Sequence, residues 1–248
     1  MNTPPLLEAR EVTVRFGGLT AVDAVSVSFA PGELVGIIGP NGAGKTTFFD
    51  TLSGVREPTS GELHVLGRPL TGAAPHRFAQ LGIARTFQTP RVFAALSVAA
   101  NIDFGLQFAG RRRAAPALLS DVASILDLLA LSARPEQAAG SITPSQQRLL
   151  EIGMALATRP KLLLLDEVAA GLTENEVEAM ARLVRRVRGE LGLTVVWIEH
   201  AVRTLLAQVE RVIVLHQGRK IADGSPADVV SDAQVVAAYL GDEMVEAA

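Results

Sequence analysis

The sequence predicts an α/β fold with a mainly parallel sheet that is covered by helices on both faces. Three short apolar runs, at 34–38, 162–165 and 194–198, are typical of strands buried on both faces. Segments of helical character separate them, including residues 174–190. A glycine-rich loop follows the first run and leads into a predicted helix at 45–52. Strands that alternate with helices form parallel sheets, which gives the fold class.

The rest of the chain supplies further strands and a helical insert. Alternating or β-branched patterns predict strands at 7–16, 24–29 and 83–87. In the middle of the chain Ala and Leu dominate, which predicts helices at 114–119 and 122–131. The 248 residues are enough for one large domain or two small ones.

Composition and charge exclude several classes of protein. The 23 basic and 26 acidic residues give a formal charge of −3, so the charge balance does not favour nucleic-acid binding. The absence of cysteine rules out disulfides, cysteine–zinc sites and thiol catalysis, and it fits a reducing compartment. We expect no signal peptide, and the longest uncharged stretches, about eleven residues, are too short to span a bilayer as a helix. The basic run 111–113 predicts a solvated loop, the alternative being contact with a membrane surface or a partner.

Residues 39–46, the glycine loop, match a pattern that binds the phosphates of ATP. Glycines let successive amides point at one anion, and the positive end of the following helix faces the same anion. Lys45 adds a charge for the β- and γ-phosphates, and the Thr46 hydroxyl can ligate Mg²⁺. A chance match is expected in roughly one chain in a hundred. The predicted contacts are Gly39, Pro40, Asn41, Gly42, Ala43, Gly44, Lys45 and Thr46.

Two acidic residues, Asp166 and Glu167, follow the apolar run 162–165. The carboxyl ends of parallel strands share one edge of a sheet, so this pair should lie near the glycine loop. Asp166 is then a candidate Mg²⁺ ligand and Glu167 a candidate general base for the attacking water. The alternative is a pair of acids at a helix N-terminus.

These motifs, in this order, resemble those of the nucleotide-binding subunits of ABC transporters over nearly the whole chain. The resemblance implies a P-loop NTPase core with a mainly parallel sheet and an N-terminal antiparallel β subdomain. It also implies a single ATPase domain over 1–248, with a helical subdomain inserted at about 90–158.

The resemblance assigns further roles residue by residue. Phe16 matches the aromatic residue that stacks on adenine, although by itself it would more simply be a core residue. Residues 39–47 match the Walker A loop, which adds Thr47 to the nucleotide contacts. Gln88 matches the Q-loop glutamine, which touches Mg²⁺ and leads toward the membrane partner. His200 matches the switch histidine that contacts the γ-phosphate and would act with Glu167 and Lys45 in catalysis.

Within this family, three segments look like the branched-chain amino-acid type or the related urea and amide type. They lie at 15–22, 82–88 and 238–241. The resemblance implies an importer with two ATP-binding subunits, two transmembrane permease subunits and an extracytoplasmic binding protein. This chain would then be cytoplasmic and peripheral on the inner face of the cell membrane.

The chain departs from the family pattern at residues 142–146, the signature segment, which reads Ile-Thr-Pro-Ser-Gln instead of Leu-Ser-Gly-Gly-Gln. In the family this segment binds the γ-phosphate held by the opposite subunit of a dimer, which makes Thr143, Ser145 and Gln146 candidate nucleotide contacts. Pro144 suits the first position of a helix but lacks an amide hydrogen. Val168 and Thr173 are smaller departures.

These departures predict an asymmetric heterodimer in which one composite site is weakened. A homodimer is the alternative, and it would carry the defect twice. The alternative function is a soluble or regulatory ATPase of the same family with weak hydrolysis.

Overall fold

A computed structural model describes residues 4–109, 116–199 and 202–246 of the chain. The strands are β1 (Leu7–Phe16), β2 (Leu19–Phe29), β3 (Leu34–Ile38), β4 (Ser60–Val65), β5 (Arg68–Pro69), β6 (Ile83–Arg85), β7 (Leu162–Asp166), β8 (Thr194–Ile198), β9 (Arg211–His216) and β10 (Arg219–Gly224). The helices are α1 (Lys45–Leu52), α2 (Pro75–Leu81), α3 (Val98–Ala109), α4 (Val122–Leu128), α5 (Pro144–Ala157), α6 (Glu174–Leu191), α7 (Val202–Leu206), α8 (Pro226–Ser231) and α9 (Ala233–Glu246). Short 3₁₀ turns lie at Ala117–Leu119 and Ala139–Ser141.

The strands form two sheets. The larger has the order β10-β9-β3-β8-β7-β6, and only the pairing of β10 with β9 is antiparallel. The smaller is antiparallel and has the order β2-β1-β4-β5. The prediction of a mainly parallel sheet with an N-terminal antiparallel part is therefore confirmed.

The central strands are buried on both faces, as their continuous apolar runs predict. Every residue of β3, β7 and β8 is buried. Alternate side chains enter two different cores, because successive residues of a strand point to opposite faces. Leu163 and Leu165 join one core with the apolar sides of α3 to α6, whereas Leu162 and Leu164 join the other with α1 and the antiparallel sheet.

The parallel arrangement brings the ends of three strands to one edge of the sheet. Asp166 is paired in register with Ile198, and Ile37 is also paired with Ile198. The segments that follow β3, β7 and β8 therefore start side by side. The glycine loop, the pair Asp166–Glu167 and Glu199 all lie at this edge.

Some predicted bounds are wrong. The strand predicted at 83–87 ends at Arg85, because the Thr86 side chain accepts the Asp166 amide at 3.2 Å and the chain then leaves the sheet. The helix predicted at 122–131 ends at Leu128, and Ala130 adopts a left-handed backbone with φ of 55°. The strand predicted at 24–29 begins already at Leu19.

Two predictions cannot be compared fully with the structure. Residues 110–115, which include the basic run 111–113, lie outside the described residues. Of the helix predicted at 114–119, the structure describes one 3₁₀ turn at Ala117–Leu119. Within the described ranges, no helix is both long enough and apolar enough to cross a bilayer.

Candidate nucleotide site

The glycine loop joins β3 to α1 and fits closely against two other strands. Gly39 and Gly44 have φ of 154° and 94°, which side chains rarely allow. A Cβ on Gly39 would lie 2.1 Å from the Leu215 carbonyl oxygen, and one on Gly44 would lie 2.2 Å from the Ala21 carbonyl oxygen. Glycine is therefore needed at both positions for the loop to keep this path.

A cleft of about 350 Å³ opens beside the loop. The β1–β2 region, the loop with the start of α1, and the residue after β7 all contribute to it. The lining residues are Phe16, Leu19, Ala21, Asn41, Gly42, Ala43, Gly44, Lys45, Thr46, Thr47 and Glu167. The structure thus brings most of the predicted nucleotide contacts to one place together with the candidate base.

Lys45 is buried in this loop, with 6% of the residue exposed. Its Nζ donates hydrogen bonds to the carbonyl oxygens of Gly39 and Pro40 at 2.6 and 2.9 Å. Burial lowers the pKa of Lys45, and the nearby carboxylates of Glu167 and Asp166 act in the opposite direction. The ammonium group is therefore held at the loop, within the field of both acids.

Phe16 lies at the rim of the cleft and is 40% exposed. The Arg56 guanidinium stacks over its ring, 4.4 Å from the centroid. A core role for Phe16 does not agree with this exposure. Arg56 is thus a neighbour of the cleft through Phe16, and no motif in the sequence pointed to that residue.

Asp166 is almost fully buried, and Arg85 is its cationic neighbour. One Arg85 nitrogen lies 3.2 Å from Asp166 Oδ2, and another donates to Asp50 Oδ1 at 2.7 Å and to Ser53 Oγ at 3.0 Å. Burial raises the pKa of Asp166 to about 6, with Arg85 opposing and Glu167 and Asp50 adding to the rise. Sequence reasoning missed this role of Arg85, because the ion pair joins residues on different strands.

The second oxygen of Asp166 makes the site suitable for Mg²⁺. Among the described residues, Asp166 Oδ1 is buried and has no hydrogen-bond partner. Nowhere in the described chain do three His, Cys, Asp or Glu side chains gather as a site able to hold a metal by themselves. Mg²⁺ commonly binds through one or two protein oxygens together with substrate phosphates and water. Asp166 and the cleft-lining Thr46 fit that kind of shared site.

Glu167, which lines the cleft, contacts Gln88, which is not among the described residues that line it. Gln88 Nε2 donates to Glu167 Oε2 at 2.6 Å, although the two residues are far apart in sequence. Glu167 is 4% exposed and has a left-handed backbone with φ of 49°. Its amide donates to the Ile198 carbonyl at 3.0 Å, and its own carbonyl accepts a hydrogen bond from Arg148. The structure thus places Gln88 directly against the candidate base.

The end of β8 is tied to the turn after β7. Glu199 Oε1 accepts the Ala169 amide at 2.6 Å and the Trp197 indole nitrogen at 2.9 Å. Burial raises the pKa of Glu199. His200, the predicted γ-phosphate contact, lies outside the described residues.

The signature segment caps α5. Thr143 Oγ1 accepts the Gln146 amide at 3.3 Å, and Gln146 Oε1 accepts the Thr143 amide at 3.1 Å. Pro144 is the first helical residue, as predicted, and Ser145 Oγ lies 3.0 Å from Thr143 Oγ1. None of Thr143, Ser145 and Gln146 is among the described residues that line the cleft beside the glycine loop.

Comparisons with known proteins agree with this geometry. Residues 22–170 match the ABC transporter family, and residues 219–245 match the branched-chain amino acid ATP-binding cassette transporter family. The chain is 36% identical over 251 residues to the high-affinity branched-chain amino acid transport ATP-binding protein BraF of Pseudomonas aeruginosa, covering 96% of this chain and 98% of that one. It is 35% identical over 252 residues to the corresponding protein LivG of Escherichia coli, with the same coverages.

A solved structure shows the same architecture. The ADP conformation of an ATP-binding cassette of an ABC transporter is similar to this chain with a TM-score of 0.83 and 30% sequence identity. The match covers 96% of this chain and 100% of the other. The family match includes the glycine loop, Gln88, Asp166 and Glu167. This chain therefore belongs to the ABC transporter family, as an ATP-binding subunit that hydrolyses ATP.

Proposed function

We propose that this chain energises an importer of branched-chain amino acids or related small polar substrates. The observation that carries the proposal is the cleft in which the glycine loop, Lys45 and Glu167 meet, with Gln88 bonded to Glu167. The match of residues 219–245 and the named functions of the relatives support the substrate class. The relatives do not favour the alternative of a soluble or regulatory ATPase with weak hydrolysis.

ATP would bind with its phosphates on the glycine loop and its base against Phe16. The loop amides and the start of α1 supply donors and a positive dipole end. Lys45 would turn from the Gly39 and Pro40 carbonyls to the β- and γ-phosphates, which are stronger acceptors for an ammonium group. The exposed ring of Phe16 offers a flat apolar surface for adenine.

Mg²⁺ would be held by Asp166 and Thr46, with Gln88 as a further ligand, alongside the nucleotide phosphates. When bound, the ion supplies positive charge that stabilises the phosphoryl group during transfer. The unpartnered Asp166 Oδ1 supports this assignment. Arg85 holds the other oxygen and so fixes the orientation of the carboxylate.

Glu167 would accept a proton from the attacking water, and Gln88 would hold the Glu167 carboxylate in place. Their 2.6 Å contact supports these roles, since a base must be fixed within hydrogen-bond reach of its water. His200 would contact the γ-phosphate from the end of β8. Glu199 anchors that strand end against the turn that follows Glu167.

The signature segment would face the nucleotide of a second ATPase subunit. Its position away from the cleft of its own chain supports a site completed across a dimer. Thr143, Ser145 and Gln146 are the side chains it offers, and Pro144 removes one amide donor. A lost hydrogen bond to a charged group costs about 1.5–3 kcal/mol, or roughly 10- to 150-fold in binding. We therefore propose a heterodimer whose composite site at this segment is weakened.

The membrane partners would dock on an apolar groove of about 370 Å³ next to Gln88, the Q-loop groove. Its lining includes Phe87, Arg91, Phe93, Phe104 and Phe108. Phe93 and Phe104 stack edge to face at 4.9 Å and stay partly exposed, which is typical of a surface that a partner covers. Two permease subunits and an extracytoplasmic binding protein would complete the importer, with this chain on the inner face of the membrane.

The experiment that tests the proposal uses the transporter reconstituted in vesicles. Glu167→Gln should lower ATP turnover by about 100-fold or more and stop uptake of branched-chain amino acids, because it removes the base. Glu136→Gln is the matched control, since Glu136 is exposed and is not among the described residues that line the cleft. Normal turnover in Glu167→Gln would contradict the assignment of the base.

The same assay tests whether the two composite ATP sites of the heterodimer differ in activity. The equivalent Glu→Gln change in the partner ATPase should lower turnover less than Glu167→Gln does, because the partner's nucleotide faces the weakened signature segment. Equal losses from the two changes would exclude asymmetry. Full turnover without uptake of any branched-chain amino acid would contradict the proposed substrate class.

A further inference from the structure

Glu151 is a buried carboxylate on α5 that no sequence motif singles out. The residue is 5% exposed. Arg91 and Arg148 are the charged groups that act on it, and Arg85 lines the same groove. Burial raises the pKa of Glu151 to about 7, although two backbone hydrogen bonds and both arginines act to lower it. Burial of a carboxylate costs free energy unless the group is paired with a charge and hydrogen-bonded, so the hydrogen-bond partners of Glu151 indicate its role.

The Glu151 carboxylate accepts hydrogen bonds from both ends of the segment 87–91. Its Oε1 accepts the Arg91 amide at 2.9 Å, and its Oε2 accepts the Phe87 amide at 3.4 Å. Gln88 lies between these two anchoring points. Hydrogen bonds to an ionised acceptor are about twice as strong as neutral ones, so the charged carboxylate restrains the segment on both sides of Gln88.

Helix α5 also holds the residue that Gln88 contacts. Arg148 lies three residues before Glu151, so the two side chains are neighbours on one face of the helix. Arg148 donates to the Glu167 carbonyl. Both partners of the 2.6 Å contact between Gln88 and Glu167 are therefore anchored to the same helix, which begins at the signature segment.

The anchored segment also forms part of the Q-loop groove. The Phe87 ring lies between two guanidinium groups, with Arg85 at 4.5 Å and Arg91 at 3.9 Å from its centroid. Phe87, Arg91 and Glu151 all line the groove. The two residues whose amides Glu151 binds therefore form part of the groove wall.

We propose that Glu151 is a positioning residue for ATP hydrolysis: by binding the amides of Phe87 and Arg91, it keeps Gln88 in contact with Glu167. The proposal rests on the role of Glu167 as base proposed above. It predicts that Glu151 acts on the rate of turnover and not on nucleotide binding, since it contacts neither the glycine loop nor Phe16.

Glu151→Gln tests the proposal in the full-length chain, with its partners where turnover requires them. The amide has nearly the same shape, but it has only one oxygen acceptor and no charge. At pH 8.5 we expect kcat to fall by about 5- to 30-fold, while KM for ATP changes by less than about twofold. A rise in KM with unchanged kcat would overturn the proposal.

The pH dependence of kcat distinguishes a positioning role of Glu151 from a merely structural role. Below pH 7 the wild-type carboxyl gains a proton and comes to resemble the amide, so the ratio of the two kcat values should approach one at pH 5.5. Groups shared by both proteins cancel in that ratio. Glu151→Asp keeps a titrating carboxylate, so it should recover part of kcat at pH 8.5. A ratio independent of pH, or no recovery with Asp, would overturn the proposal.

Two further measurements address the cases in which the base assignment fails or the Glu151 variants do not fold. Glu167→Gln in the same assay tests the base assignment itself. Normal turnover in Glu167→Gln would mean that the base assignment fails. Normal turnover in the Glu151 variants alone would mean that only the positioning role fails. If the variants do not fold, hydrogen exchange of the Phe87 and Arg91 amides in the wild type still decides. Both amides should be protected at pH 8.5 after correction for intrinsic rates, and exchange of either amide at the unprotected rate would contradict the anchoring role.

Discussion

At the scale of single residues, Glu167 illustrates how the fold holds the proposed general base. Its left-handed backbone, with φ of 49°, costs a residue with a side chain about 1–3 kcal/mol. Hydrogen bonds to Ile198 of β8, to Arg148 of α5 and to Gln88 in the segment after β6 offset that cost. Glu167 lines the nucleotide cleft, so this strain is located at the candidate site.

Phe16 gives a prediction about nucleotide binding. Phe16→Ala should raise KM for ATP by about 5- to 100-fold, because stacking of a base on an aromatic ring contributes about 1–3 kcal/mol. The effect on kcat should be small, since Glu167 and Gln88 are untouched. Steady-state phosphate release at varied ATP measures both constants. Phe16→Tyr keeps the ring and should behave like the wild type; a similar KM in the Ala variant would contradict the stacking role.

Glu151 gives a prediction about stability and pH. Its pKa is raised from the ordinary value of 4.5 to about 7, so the folded state binds the proton more tightly than the unfolded state. Its stabilising effect is therefore complete below pH 4.5 and is lost as the pH rises through about 7. Relative to Glu151→Gln, the wild-type free energy of unfolding should fall by about 2 kcal/mol between pH 5.5 and pH 8.5.

Urea unfolding of both proteins at the two pH values measures this change. Glu136→Gln is the control, because Glu136 is exposed, and its difference from the wild type should stay constant. A constant difference for Glu151→Gln as well would show that the buried carboxyl does not titrate as expected.

At the scale of elements, α5 depends on the cap that the altered signature segment still provides. Thr143→Ala removes the hydroxyl that accepts the Gln146 amide. We expect a loss of about 1 kcal/mol in stability and a melting temperature lower by roughly 2–4 °C. Thermal unfolding checks this, with Thr143→Ser as the control that keeps the hydroxyl. Equal melting temperatures for all three proteins would mean that the cap adds nothing.

The elements also show what the sequence could and could not predict. The bounds of β3 and α1 were predicted correctly, because an apolar run and a glycine loop are local signals. The strand predicted at 83–87 was too long, since the Thr86 side chain accepts the Asp166 amide of β7 and the Phe87 amide donates to the Glu151 side chain of α5. Strands β9 and β10 were not predicted, although β9 carries the Leu215 carbonyl that packs against Gly39.

The same reasoning applies to the site. Asp166 and Lys45 could be proposed as site residues from the sequence, because their motifs are contiguous. Arg85, Arg148 and Glu151 were missed, because each acts through a partner on another element that only the folded chain brings close. The catalytic, nucleotide-binding and metal-binding roles of all these residues remain predictions.

At the scale of the whole molecule, the Q-loop groove gives a prediction about assembly. Phe104 and Phe108 lie one turn apart on α3 and are 55% and 54% exposed. Phe104→Asp or Phe108→Asp should weaken association with the permease subunits by at least about tenfold, because a charge would be buried against the partner. ATP binding by the free chain should be unchanged, since neither residue lines the nucleotide cleft.

Affinity purification of the tagged chain with its permeases measures this association. Val230→Asp is the matched control, because Val230 is 57% exposed and lies on α8 outside the groove. Loss of association in the Val230 variant too would indicate general instability. Full association of both Phe variants would place the membrane partner elsewhere.

Position 85 should tolerate very few amino-acid substitutions, because Arg85 makes three contacts at once. A single guanidinium binds Asp50 on α1 and Asp166 on β7 and also stacks on Phe87. Lysine lacks the planar fork needed for all three contacts, and any neutral residue would leave two acidic groups facing each other. In a saturation library selected for ATP-dependent transport, position 85 should therefore retain arginine almost exclusively, whereas a position such as Glu136 should accept many residues. In the same library, position 85 should tolerate as little change as the predicted contacts with ATP.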